Sequence, residues 1–244
     1  MKYLFDEPLE EGLIKSRPNR FIMNVWINEK LETCHCPSTG RIGSIRFEDI
    51  PCLVSRSKNL NRKTKYTVEA FSLDDLRKSK KTWIGINQTK ANEYVEFFIR
   101  SGLLRKMLGN VKELKREVKL GRSRIDFLVN GKDYLEVKTP LMLIPTEGHK
   151  NHKTNNAPFT SFDRMIRHFE DVSKSIKNDS RAIILLCNLY DAEPFKVPKP
   201  NASEIRIVKA ARKAASRGLE NWQINLNVEK EGIELINCFR LKLF

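Results

Sequence analysis

The chain has 244 residues, 40% hydrophobic and 31% charged, and carries 45 Lys and Arg against 30 Asp and Glu, a net charge of +15. This fits a soluble globular protein with a good core, as one large domain or two small ones. No apolar run reaches the roughly 18 residues of a membrane span, and the acidic start MKYLFDEPLEEG lacks the apolar stretch of a signal peptide, so the expected location is the cytoplasm. The charge excess points to a polyanion. Nucleic acid fits better than a membrane surface, because no basic amphipathic helix stands out. Five cysteines, an odd number, predict no disulfide framework.

Residues 1–82 read as an all-β, nucleic-acid-binding domain. Short strands are expected at Phe21 to Ile27, Leu31 to Cys36, Pro51 to Ser55 and Thr64 to Phe71, with turns at Pro18-Asn19, Asn28-Glu29 and Pro37 to Gly40. Strands at that spacing suggest an OB-like barrel. Lys15, Arg17, Arg20, Lys58, Arg62, Lys63 and Lys65 supply positive charge for a nucleic-acid backbone, with the run from Lys58 to Lys65 the strongest candidate. Trp26, Tyr66 and Phe71 are either stacking platforms or, as aromatics more often are, core residues. Cys34-His35-Cys36 invites a zinc reading, but no second C-x-x-C pair accompanies it. In a strand the two thiols point the same way, as buried small residues do.

The polar stretch Asp74 to Lys81 separates this part from a second domain, residues 83–244. A short strand is expected at Trp83 to Ile86. A helix follows from Lys90 to Leu108, capped by Thr89, with Ala91, Tyr94, Val95, Phe98 and Leu104 facing inward. Lys112 to Leu120 alternates as a strand and brings Glu117, a candidate third carboxylate.

The next stretch, RSRIDFLVNGKDYLEVKT from Arg122 to Thr139, carries the chemistry. Asn130-Gly131 favours a turn, so the stretch reads as a hairpin. A two-residue turn sets Asp126 on the face opposite Glu136 and Lys138. A three-residue turn, Val129 to Gly131, puts Asp126 opposite Tyr134 and gathers Asp126, Glu136 and Lys138 on one face, with Ile125, Phe127, Leu135 and Val137 on the other. Burial of a clean apolar face selects the odd loop. Two carboxylates so placed suit a hard divalent cation with oxygen ligands, Mg²⁺ or Mn²⁺, to which the Val137 carbonyl adds a further donor. Lys138 is then placed to orient a water or stabilise charge on a phosphate. Alone, the same residues read more readily as a salt-bridge cluster on a solvated face.

Thr146 to Pro158 is a basic, turn-rich loop suited to gripping substrate, with His149 and His152 expected in solvent. Ser161 caps a helix to Ile176, on which Arg164 and His168 project one turn apart, within reach of phosphate. Arg181 to Leu189 is a continuous apolar run, a strand buried on both faces. A helix from Ser203 to Ser216, ended by Gly218, and a strand from Trp222 to Val228 complete a parallel strand–helix–strand unit. Ile233 to Leu243 is a last strand.

This order resembles the PD-(D/E)xK nuclease core, a mixed sheet carrying Asp on one strand and E-x-K on the next, here SRIDF and LEVKT. The chain more specifically resembles the SfsA family, the sugar fermentation stimulation proteins. The likeness rests on Arg17 with Arg20-Phe21, HCPSTG at His35 to Gly40, Asn87-x-Thr89 with Asn92, EVKxGxSRIDF at Glu117 to Phe127, and LEVKT. It implies a mixed α+β protein: an N-terminal OB-like β-barrel followed by a PD-(D/E)xK nuclease-like α/β domain with a mixed central sheet. It implies DNA binding, a regulatory role in sugar use, and Asp126, Glu136 and Lys138 as the metal-site triad, with Glu117 at the family's matching Glu. Arg164 and His168 fall where related nucleases place polar active-site residues. The pattern departs there, with Asp163 and Ile166 where Glu and Gln are usual. The expected function is DNA binding with a Mg²⁺- or Mn²⁺-dependent nuclease site. The alternatives are a non-catalytic DNA-binding regulator and, since OB-like domains bind either polymer, an RNA-associated factor.

Overall fold

Two β-sheets share the chain between them. The computed structural model describes every residue except 39, 60, 122, 142–143, 153–168, 172, 175, 177–178, 198–204 and 244. The first strand, β1 (Lys2–Leu4), belongs to the second sheet, and the next five build a barrel: β2 (Glu10–Asn19), β3 (Ile22–Ile27), β4 (Lys30–His35), β5 (Ile50–Arg56) and β6 (Tyr66–Phe71). They pair antiparallel in the order β4-β3-β2-β5-β6, and a parallel contact at His35↔Thr67 returns β4 to β6 and closes the ring. Closure removes the open edges that would otherwise invite pairing with another chain.

Strand alternation fills the barrel. On β3, Met23, Val25 and Ile27 are buried while Trp26 is 42% exposed. Cys34 and Cys36 are fully buried, and burial pushes the Cys34 thiol up to about 12, so it packs as a small neutral group. Phe71 has no exposed surface and stacks edge-on against Phe47, which makes it core and not a platform. Among the three aromatics considered for base stacking, Trp26 alone is well exposed.

A two-residue strand, β7 (Ile84–Gly85), extends β6 and leads into the second domain. The expected long helix is broken. A 3-10 turn at Gln88–Lys90 precedes α1 (Ala91–Arg100), and α2 (Arg105–Leu108) follows separately. Thr89 is not the cap: its hydroxyl bonds the Asn87 side chain (2.5 Å). Gly102, at φ +75°, ends α1 in the left-handed conformation that closes many helices. The inward stripe is as expected, with Ala91, Tyr94, Val95 and Phe98 buried.

The second sheet has seven strands in the order β1-β13-β12-β11-β10-β9-β8. They are β8 (Leu114–Leu120), β9 (Ser123–Val129), β10 (Asp133–Lys138), β11 (Ala182–Asn188), β12 (Glu220–Val228) and β13 (Gly232–Leu241), with β1 on the edge. The centre, β10-β11-β12, is parallel and the flanks are antiparallel. The helix α3 (Ile205–Ala215) makes the crossover between β11 and β12. Strand β11 is buried on both faces: Ile183, Leu185 and Cys187 pack with α1, and Ala182 and Ile184 with Ala214 and Leu219.

The barrel and the sheet are joined by packing and by hydrogen bonds. Leu9, Leu53 and Ala70 of the barrel share a core with Val95 and Phe98 of α1. The chain leaving β10 lies along the barrel: Gly43 N–H donates to the Leu141 carbonyl (2.8 Å) and Arg46 N–H to that of Asn151 (2.8 Å). His152 bridges Ile45 in antiparallel fashion and sits half-buried against the Thr146 hydroxyl (3.0 Å), so neither it nor the half-buried His149 is free in solvent as expected. No helix among the described residues is long and apolar enough to cross a membrane.

Candidate functional site

The hairpin that carries the candidate site has the odd loop that burial demands. Val129 pairs with Asp133, Leu128 with Tyr134 and Phe127 with Leu135, leaving Asn130, Gly131 and Lys132 in the loop. Asn130 (φ +51°) and Gly131 (φ +71°) form the turn, closed by Lys132 N–H on the Val129 carbonyl (3.1 Å), and Lys132 is the extra residue. Asn130 suits the position twice over, because its side chain also accepts from Lys112 N–H (2.8 Å) and Glu113 N–H (3.1 Å) and so aligns the start of β8. The loop begins one residue later than expected. Asp126 therefore falls across from Glu136 rather than Tyr134; parity is preserved and the carboxylates come closer.

One expectation about the apolar face fails. Phe127, Val129, Leu135 and Val137 do pack together against α1, but Ile125 belongs to a separate cluster with Ala182, Ile184 and Leu219 on the other side of the sheet. An irregularity lies nearby on the neighbouring strand. Glu117, the residue that would pair with Asp126, has φ +55° and is skipped by the β8–β9 ladder, which resumes at Val118↔Ile125. The ladder keeps the same register on both sides of that gap, and Asp126 sits opposite it.

The β9–β10 ladder stops at Phe127↔Leu135, one step before the carboxylates. Beyond it, the Asp126 side chain replaces main-chain pairing. One oxygen accepts from Val137 N–H (2.7 Å) and the other from Asn92 Nδ2 of α1 (2.8 Å). Glu136 is 2% exposed, and Lys138 ion-pairs with it from the same strand face. Burial first, and the Glu136 charge second, hold the Asp126 carboxyl above the usual carboxylate range, against the pull of Val137 N–H, Asn92 and Lys138. Asp126, Glu136 and Lys138 are thus brought together. Glu117 is not: its side chain is 53% exposed and pairs with Arg124 (3.0 Å). No group of three His, Cys, Asp or Glu side chains converges among the described residues. Arg164 and His168 lie outside the described residues. Asn92, which grips Asp126, was visible in the sequence only as a motif residue without a task.

A second feature lies on the barrel. Lys15, Arg17 and Arg20 line a groove of about 670 Å³ together with Arg41, Arg46 and Phe47, with Glu48 the one acidic lining residue. Arg17 donates to the Ser38 (2.8 Å) and Gly40 (3.1 Å) carbonyls, which ties the HCPSTG loop to the groove. Arg20 lies over the Phe21 ring at 4.8 Å. Arg41 and Arg46 were not legible in the sequence, because loop residues without periodicity give no signal until the loop folds against β2. Lys58, Arg62, Lys63 and Lys65 are outside this lining, on the β5–β6 connection. There Lys58 pairs with Asp6 (2.7 Å) and Arg62 donates to the Thr67 hydroxyl (3.0 Å), while Lys63 and Lys65 are exposed.

Comparison with known proteins agrees with this architecture. The profile described as the SfsA N-terminal OB domain matches residues 16–86, and that described as the sugar fermentation stimulation protein RE domain matches residues 89–232. A sugar fermentation stimulation protein homolog of Nostoc punctiforme is 29% identical, covering 97% of this chain and 96% of its own. One from a Synechococcus strain is 28% identical, covering 98% and 95%. The structure of Pyrococcus furiosus SfsA in complex with Ca²⁺ matches with a TM-score of 0.73 at 24% identity, covering 100% of this chain and 99% of that one. An OB barrel ahead of a mixed sheet, matched along nearly the whole length by these relatives, makes this chain a member of the SfsA family, the sugar fermentation stimulation proteins.

Proposed function

We propose that this protein is a cytoplasmic DNA-binding phosphodiesterase whose cleavage site is Asp126, Glu136 and Lys138 and requires Mg²⁺ or Mn²⁺. The observation that carries the reading is the end of the β9–β10 ladder, where the half-buried Asp126 falls across from the buried Glu136 and Lys138 ion-pairs with Glu136. The donor set is all oxygen and doubly negative, which fits a hard divalent cation that keeps several waters. The Ca²⁺ bound by the Pyrococcus furiosus relative supports the same chemistry.

A divalent cation bound here supplies Lewis acidity towards a phosphate oxygen and a water of lowered pKa. The protein's own part is positional. Val137 N–H and Asn92 fix the Asp126 carboxylate without torsional freedom. Lys138, held by Glu136 in the resting protein, turns to the scissile phosphate and stabilises the charge that builds there. Cations of the barrel bind the backbone, so recognition depends on phosphate rather than base identity. In this reading Arg164 and His168 contact phosphate.

The test is incubation of single- and double-stranded DNA with Mn²⁺ or Mg²⁺. Wild type is expected to cleave. Lys138→Met is expected to cleave about 10²–10³-fold more slowly, the usual effect of removing one electrostatic stabiliser, and Asp126→Ala not detectably. Cleavage that persists in Asp126→Ala, or none by wild type across broad conditions, refutes the reading. A second reading, a non-catalytic DNA-binding regulator of sugar metabolism, is favoured by the groove, whose cations are on the barrel rather than on the hairpin that carries the carboxylates. It predicts DNA binding that needs no metal and survives Asp126→Ala. Competition with RNA of equal length separates the two polymers.

A further inference from the structure

Three hydrogen bonds in series connect the barrel groove to the end of the E-x-K strand. Arg17 donates to the Ser38 carbonyl (2.8 Å), the Ser38 hydroxyl to Gln88 Oε1 (2.7 Å), and Gln88 Nε2 to the carbonyl of Thr139 (2.7 Å), the residue after Lys138. Ser38 is 1% exposed, and Arg17, Gln88 and Thr139 are half-buried, so the link is partly shielded from water. A second thread runs alongside it. Gly43 and Arg46, at the groove wall, hydrogen-bond to Leu141 and Asn151, and the Thr146 hydroxyl donates to the Ser44 carbonyl (3.1 Å). The groove wall and the strand end are thereby one mechanical piece. The HCPSTG run, conspicuous in the sequence without a role, supplies the hub of the link at Ser38.

The two ends of the link have complementary chemistry. The groove offers five cations among its described lining residues, and its volume of about 670 Å³ accommodates a short stretch of single strand. The far end offers Lys138 beside two carboxylates. Gln88 is suited to join them because its amide accepts at one end and donates at the other. Neither a carboxylate nor an alkyl side chain does both.

We propose that the groove and the carboxylate site form one continuous track for a single nucleic-acid strand, and that Gln88 is the positioning residue that fixes the groove-bound phosphates relative to Lys138. This rests on the phosphodiesterase reading above. It makes the two sites thermodynamically coupled: a strand that fills the groove and reaches the site favours cation binding there, and the cation favours the strand by the same factor.

The experiment is calorimetric titration of the full chain with Ca²⁺, a probe that takes the same oxygen ligands. It is run without nucleic acid, with a single strand of about 16 nucleotides, and with one of about 4 nucleotides at equal phosphate concentration. The longer strand is expected to tighten Ca²⁺ binding by about fivefold or more, at the lower end of ordinary coupling, and the shorter strand to leave it unchanged. Gln88→Leu and Ser38→Ala, which cut the link at different points, are each expected to reduce that factor towards one. Thermal unfolding run alongside shows whether each variant is folded, and either folded variant suffices. Ca²⁺ binding by wild type that ignores the longer strand overturns the track while leaving the metal site standing. Coupling retained in the variants overturns the role of Gln88. Failure of wild type to bind Ca²⁺ at all overturns the phosphodiesterase reading and this inference with it.

Discussion

Replacing Asp126 with asparagine separates what the carboxylate does for a cation from what it does to the fold. Asp126 accepts from Val137 N–H at 2.7 Å and from Asn92 Nδ2 at 2.8 Å. Asparagine has one acceptor. Its oxygen stays on Val137, its amide nitrogen meets Asn92, and Asn92 turns its own amide over to present an oxygen. Both bonds survive as neutral ones, so the loss is about 1 kcal/mol each, the gap between charged and neutral hydrogen bonds. Against that stands the removal of a buried charge facing Glu136. The balance is already written in the carboxyl's raised pKa: burial and Glu136 outweigh the two donors and Lys138. A carboxyl that holds its proton more tightly folded than unfolded destabilises the native state as pH rises. The penalty is absent below the unfolded value near 3.8, grows through the window up to the raised folded value, and is complete at neutral pH. Metal-free Asp126→Asn is therefore expected to unfold at a higher temperature than wild type at pH 7, with the difference vanishing in acid. With Mn²⁺ the order reverses. A cation at about 100 times its Kd adds about 2.7 kcal/mol to wild type, or about 5–10 °C for a chain of this size, and the variant forfeits most of that gain. Thermal unfolding followed by circular dichroism, with and without Mn²⁺, reads both effects. A metal-free variant less stable than wild type at pH 7, or one that keeps the full Mn²⁺ shift, refutes the reasoning.

Two further expectations concern the groove and the sheet edge. Arg41→Ala combined with Arg46→Ala should flatten the dependence of log K on log salt by about 0.7 for each single-strand phosphate that is no longer neutralised; fluorescence anisotropy across a salt series measures it, and an unchanged slope places the strand elsewhere. A Cβ on Gly232 would lie 2.0 Å from the Tyr3 carbonyl oxygen, a main-chain atom that cannot step aside. Gly232→Ala should release β1, raising hydrogen exchange at Lys2 to Leu4 about tenfold or more, the loss of about 1.4 kcal/mol of local protection; amides that stay protected contradict the pairing.

The sequence made the hairpin legible because two local signals agreed. Asn130-Gly131 named the turn, and the apolar residues on either side required an odd loop. The one-residue shift of that loop was hidden, since moving it changes which residue opposes Asp126 without changing which face is apolar. The separate packing of Ile125 was hidden for another reason: it depends on Ala182, Ile184 and Leu219, and no pattern within β9 records it. Strand β2 escaped notice because EEGLIKSRPN has neither strict alternation nor a β-branched run. It is held by partners on both sides, β3 and β5, rather than by its own preference. Gln88 carried no signal in the sequence, and Asn92 stood out only as a motif residue. Only the packing of α1 over the sheet turns them towards Thr139 and Asp126.

The pairing of β1 with β13 fixes an order of events during synthesis. The barrel strands β2 to β6 can pair with one another once Phe71 has emerged, while β7 and the core residues Leu141, Ile144 and Tyr190 follow later. The second sheet cannot be completed so early. Lys2 must wait for Glu234, Tyr3 for Ile233 and Leu4 for Gly232, so β1, made before the barrel, is among the last strands to be docked. Until then the barrel strands carry a loose N-terminal strand, and β13 offers that strand an open edge when it finally appears. Contacts this distant in sequence form slowly. The edge that β13 offers to β1 is thus sealed only by residues at the far end of the chain, and until it is sealed it is open to strand exchange between two copies.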